Sequence, residues 1–161
     1  MPTSPTLQKA LEGYWIWQTG DTVLRAYLDL ELGDPTGGWH LVEFRLDSGT
    51  DMTPVPASFA QSMGLPLGTG PYLITQMTAD GQQQPQCVYS GLLKARVPGL
   101  DQTVYYFLCY FVGDPNAPVP PAAARLQNLL GLTGVVDQLQ IILDGTPIPG
   151  GQFGSFIIEK K

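Results

Sequence analysis

The chain has 161 residues, enough for one domain with a substantial core, and its fourteen acidic and eight basic side chains leave a net charge of −6. That balance offers no electrostatic footprint for nucleic acid or for an anionic membrane surface, so neither partner is expected. Hydrophobic residues make up 43% and charged residues 14%; nineteen Gly and fifteen Pro between short Val, Ile, Leu and aromatic runs favour an all-β domain over a helical one.

Residues 1–12 read as a Pro/Ser/Thr-rich lead-in with a short helical turn over 7–11, stopped by Gly13, and residues 13–161 as the domain itself. The start lacks the basic and apolar segments of a secretory signal, and no apolar run approaches the roughly 18 residues of a membrane span, so a cytoplasmic location is expected. Residues 14–18 are aromatic and β-prone. From 23 to 32, Leu24, Ala26, Leu28, Leu30 and Leu32 alternate with Arg25, Tyr27, Asp29 and Glu31, the period of two that puts the leucines on one face of a strand. Residues 33–38 form a Gly/Pro turn and 39–46 the partner strand, making a hairpin that ends at Asp47.

After Asp47-Ser48-Gly49-Thr50-Asp51 comes a short helix over 57–65, with Gly64 as its stop. Residues 72–78 and 86–89 bracket a polar tip containing Asp80-Gly81, a hairpin signal. Strands are expected at 92–97 and 103–112, the second apolar enough to be central and buried. Residues 113–121 are a proline-rich loop, 122–127 begin a helix, and Asn128-Leu129-Leu130-Gly131 leads towards strands at 141–143 and 155–158.

Few residues can carry chemistry. His40 is the only histidine, which removes any Ser-His or Cys-His pair and any multi-histidine metal site. Cys87 and Cys109 are too few for a disulfide scaffold or a four-ligand zinc site and read as buried thiols, although neighbouring strands could bring them together. Asp47 and Asp51 hint at a calcium loop but lack the downstream Gly and Glu spacing. Leu143-Asp144-Gly145-Thr146 reads as a turn, and Trp15, Trp17 and Trp39 as core or interface, with a ligand platform on an unrelated β-barrel as the alternative. No metal or cofactor is expected.

A hydrophobic strand delivering Asp47 onto a Ser-Gly turn, a helical run over 56–65, a hairpin over 72–89 and Leu129-Leu130-Gly131, in that order, resemble the retropepsin-like aspartic peptidases. The resemblance implies an all-β, single-domain, retropepsin-like closed β-barrel or sandwich with a flap hairpin and one or two short helices, completed as a homodimer. It also implies an aspartic endopeptidase acting on peptide or protein substrates. Asp47 would be catalytic, one carboxylate from each of two copies; Ser48 and Gly49 would support the turn. Thr50 and Asp51 would line subsites, and Met77, Thr78, Ala79, Asp80 and Gly81 would form the flap over substrate. Leu129, Leu130 and Gly131 would pack behind the Asp turn, and residues 155–158 are a candidate for the dimer sheet. Two departures stand out. Leu132 occupies the place where retroviral members carry an arginine that pairs with the aspartate equivalent to Asp51, so Asp51 needs Arg25, Arg45 or solvent instead. The flap tip is glutamine-rich rather than glycine-rich. These departures keep open a catalytically silent peptide-binding or dimerisation module on the same fold.

Overall fold

The computed structural model describes residues 4–47, 50–77, 81–119, 129–131, 133–147, 149 and 153–161. Along the chain run β1 (Thr6–Ala10), β2 (Glu12–Ile16), β3 (Asp21–Arg25), β4 (Tyr27–Gly33), β5 (Trp39–Leu46), β6 (Thr53–Pro56) and α1 (Ala57–Ser62). They are followed by β7 (Thr69–Met77), β8 (Gln83–Arg96), β9 (Tyr105–Val112), β10 (Leu129–Leu130), a 3-10 turn (Val136–Gln138), β11 (Leu139–Asp144) and β12 (Ser155–Lys160). The molecule is mostly β, as its breaker-rich sequence implies. Among the described residues no helix is long and apolar enough to cross a membrane.

The largest sheet has the order β10-β5-β4-β8-β9-β6, with β7 paired to β8. It contains the β4–β5 hairpin, in which Leu28 lies opposite Phe44 and Leu30 opposite Val42. These four side chains and Leu32 are essentially without solvent exposure. Burying each such side chain contributes about 1.5–3 kcal/mol before entropy is counted. A second sheet, β1-β12-β11, sends Phe156 and Ile158 into the same core, and β2 and β3 pair as a separate two-stranded ribbon.

α1 is short. Pro56 precedes it with extended ψ, and Gly64 at φ 71° ends it, with the Leu65 N–H returning to the Ala60 carbonyl. Its buried face is Ala57, Ser58 and Ala60, small enough to let the helix sit against β6 and β9.

Several expectations are corrected. No closed barrel forms among the described residues. The end strands β10 and β6 approach each other, but β10 is only two residues long. Gly131, just beyond it, donates its N–H to the Thr53 hydroxyl instead of continuing a ladder. The helical turn over 7–11 is strand β1, because β12 supplies a backbone partner that a propensity reading cannot see. The alternating run 23–32 breaks at Ala26, its first part pairing with β2 and its second with β5.

β8 is one continuous strand through Gly91. A Cβ there would meet the Phe111 ring and the carbonyls of Pro66 and Leu67, so this glycine serves close packing rather than a break. β9 is central in its ladder but buried on one face only, leaving Tyr106 and Leu108 outward. Cys109 is buried and Cys87 exposed; both are free thiols. The proposed helix start over 122–127 lies outside the described residues.

Candidate active site

Asp47 directly follows β5, the strand that the alternation of Val42, Phe44 and Leu46 anchors in the core. β4 runs antiparallel along one side of β5, and β10 runs parallel along the other, with Leu129 beside Arg45 and Leu130 beside Leu46. The Asp47 N–H extends this ladder by one bond, donating to the Leu130 carbonyl at 3.1 Å. Three residues on, the Thr50 N–H donates to the Asp47 carbonyl at 3.4 Å, which turns the chain sharply. Ser48 and Gly49 are outside the described residues.

The chain then doubles back around the segment it has just touched. The Thr50 hydroxyl donates to the Met52 carbonyl at 2.9 Å, and the Thr133 N–H donates to the Asp51 carbonyl at 2.9 Å. The Gly131 N–H donates at 3.1 Å to the hydroxyl of Thr53, which is fully buried. Residues 129–131 and Thr133 are therefore bonded both to the end of β5 and to the stretch leading into β6. Gly131 is required by this arrangement, since a Cβ would sit 2.3 Å from the Met52 carbonyl oxygen. On the far side the Cys109 thiol donates to the Thr53 carbonyl at 3.0 Å, and burial pushes that thiol's pKa up, keeping it protonated as a donor.

Beside Asp47 opens a cleft of about 240 Å³. Its other walls among the described residues are Ala26, Leu46, Leu130, Val136, Ile141 and Leu143, so Asp47 is the one charged residue beside six apolar ones there. That volume is below the range of about 300–1,000 Å³ usual for ligand sites. The cleft is open, and Leu143 on its rim is 65% exposed.

Of the residues singled out from sequence, Asp47 and Leu130 meet at this cleft, Leu129 pairs with β5, and Gly131, Thr50 and Asp51 belong to the interlock beside it. Asp51 is exposed; Arg25 lies over the Tyr14 ring at 4.2 Å instead. Met77 ends β7 in the hairpin over 72–89 and pairs with Gln83; Gly81, in the tip between them, is not among the described residues lining the cleft. Thr78, Ala79, Asp80 and Leu132 lie outside the described residues.

Sequence reasoning missed Ala26, Val136, Ile141 and Leu143 as walls. The available signal was an Ile141-Ile142-Leu143 run apolar on both strand faces, more than a single buried face requires. Trp15 and Trp17 are 62% and 72% exposed, not core, whereas Trp39 is half-buried under the Arg96 guanidinium at 3.8 Å.

Asp34 and Asp144 sit in comparable Asp-containing turns. Asp34 accepts from the Thr36 hydroxyl at 2.7 Å, the Thr36 N–H at 2.8 Å and the Gly38 N–H at 2.9 Å, and lies 2.6 Å from His40 Nε2. The Thr36 hydroxyl, the His40 ring and the Gly38 N–H hold its carboxyl far below the usual carboxylate range. Asp144 closes β11 and accepts from the Thr146 N–H at 2.8 Å, which lowers its pKa. Both are turn-forming carboxylates. Among the described residues no group of three or more His, Cys, Asp or Glu could hold a metal ion.

No protein-family model matches the sequence, and no curated protein matches it. Among solved structures the chain is similar to a crystal structure of a retropepsin-like aspartic protease from Rickettsia conorii. The alignment covers 99% of this chain and 97% of that one, at 14% identity and a TM-score of 0.47. A likeness at that distance assigns no residue a role.

Proposed function

We propose that the chain is a retropepsin-like aspartic endopeptidase whose active site forms between two copies, with Asp47 of each supplying one carboxylate. The observation that carries this reading is the interlock at Asp47: its N–H is fixed to Leu130 of the strand parallel to β5, at the edge of an apolar cleft. A turn held from two sides keeps a carboxylate in one place, as a positioned general base must be. The small volume of the cleft, with Asp47 as its one acid among the described residues, fits half of a composite site.

Two carboxylates brought together cannot both ionise, so they share one proton and titrate as a pair. The ionised member draws a proton from water while the protonated member hydrogen-bonds the scissile carbonyl, and water attacks. Apolar walls such as Ile141 and Leu143 favour apolar side chains next to the cleaved bond and strengthen the shared-proton arrangement by excluding water. In this reading Ser48 and Gly49 support the turn, Thr50 and Asp51 border the subsites, and residues 77–81 close over substrate. No cofactor takes part.

A catalytically silent peptide-binding module is the second reading, and exposed Asp51 is what favours it, because no arginine among the described residues pairs with that carboxylate. Cleavage of apolar peptides, measured from pH 3 to 7, separates the two. The proposal expects a bell-shaped rate profile that disappears in Asp47→Asn. Binding without turnover at every pH, or cleavage unchanged in Asp47→Asn, overturns it.

A further inference from the structure

Resting on the composite-site reading, the topology also points to the seam between the copies. We infer that a second copy of this chain docks on the outer edge of β11, antiparallel, with Ile142 on the twofold axis. β12, which contains the 155–158 candidate for the dimer sheet, has no edge to give, since β1 pairs along one side and β11 along the other. Among the described residues, the edges left in that sheet are the outer sides of β1 and β11.

The two edges differ in character. β1 alternates exposed Thr6, Gln8 and Ala10 with Leu7 and Lys9, and Lys9 is held 3.8 Å from Asp29. An inward-bound lysine is a usual guard against edge pairing. β11 reads Leu-Gln-Ile-Ile-Leu-Asp, without lysine, proline or bulge, and exposes Ile142 at 41% and Leu143 at 65%.

β11 is also a wall of the Asp47 cleft. Ile141 and Leu143, two apart and on the same strand face, both line it. A twofold axis perpendicular to the sheet at β11 pairs the strand with its own copy, an isologous contact, and puts the second Asp47 cleft on the same face.

Register follows from side-chain parity. Opposed residues must share a face, so the axis passes through a residue and not between two. Centred on Ile142, Ile141 faces Leu143 of the copy, Ile142 faces itself, and Gln140 faces Asp144, apolar on apolar and polar on polar. Centred on Ile141, Gln140 would face Ile142. The first register also floors the joined cleft with two Ile141–Leu143 pairs.

A six-residue edge alone falls short of the roughly 1,200 Å² of a stable interface. Exposed apolar side chains elsewhere on the chain, Trp15 and Trp17 among them, are available to extend it.

Cysteine cross-linking in the full chain, with Cys87→Ser removing the exposed native thiol, tests this. Directly opposed residues have Cα atoms about 4.5–5.5 Å apart, inside the disulfide range of about 4.4–6.8 Å. Ile142→Cys under oxidised glutathione should give a covalent dimer at least tenfold faster than Gln140→Cys, whose own copy lies four residues away, about 13 Å along the strand. Ile142→Lys, which places two ammonium groups face to face, should weaken dimerisation at least tenfold in sedimentation and leave the circular dichroism unchanged. A chain that sediments as a dimer but cross-links no faster at 142 than at 140, or a dimer unaffected by Ile142→Lys, overturns the seam and leaves the composite site standing. A monomer at about 100 μM overturns both.

Discussion

Asp34 and Asp47 stand at opposite ends of the same β4–β5 hairpin, one folded into its own turn and the other beside an apolar cleft. The Asp34 turn is local: Thr36, Gly38 and His40 all lie within six residues and all reach its carboxylate. The Asp47 turn is built from afar, its N–H held by Leu130 and the chain just past it tied to Gly131 and Thr133. A locally satisfied aspartate makes structure cheaply. One placed by distant segments beside Ile141 and Leu143 has been located with respect to a cleft, which is what chemistry requires.

If that difference is real, Asp47→Asn should lower peptide hydrolysis by about 10²–10⁴-fold with little change in melting temperature, whereas Asp34→Asn leaves hydrolysis unchanged. Next in size are changes to the interlock. Leu130→Ala empties a fully buried position and should cost about 2–5 kcal/mol of stability in urea unfolding. Gly131→Ala forces a methyl against the Met52 carbonyl, at a cost of about 1–3 kcal/mol, and should reduce activity more than its stability loss explains because it displaces the turn.

Thr53→Val leaves the Gly131 N–H without its buried acceptor and should cost about 1–3 kcal/mol. The smallest effect belongs to Asp34. Its carboxyl binds a proton less readily folded than unfolded, so its contribution is full above about pH 4 and lost as the pH falls below that value. Asp34→Asn should lower the melting temperature at pH 7, and its gap to the unmodified chain should narrow progressively as the pH falls from about 4 towards 2. A constant difference across that range would mean the turn is held by something other than the charge.

The same contrast explains what could be read in advance. The β4–β5 hairpin was legible because Leu28, Leu30, Leu32, Val42 and Phe44 keep a strict period of two, and α1 because Gly64 marks its end. Asp47 stood out because a hydrophobic strand delivers it to a Ser-Gly turn. β1 was not legible: Leu7 and Lys9 suit a helix equally well until β12, nearly 150 residues away, offers its edge. β8 was divided at Gly91 because the Phe111 ring that demands a glycine lies on another strand. Ile141 and Leu143 were seen as a strand but not as cleft walls, since nothing in a single run reveals which face meets Asp47. Local periodicity announces elements; the partners that turn elements into a site are set by long-range pairing.

Mixing the unmodified chain with the Asp47→Asn chain tests the central claim most directly. If one site takes an aspartate from each copy, a ninefold excess of Asp47→Asn, after subunits exchange, leaves the unmodified protein at about one tenth of its activity, because nearly every active chain is then paired with an inert one. Activity that stays constant as Asp47→Asn is added would mean that each chain works alone, and the shared site would be contradicted.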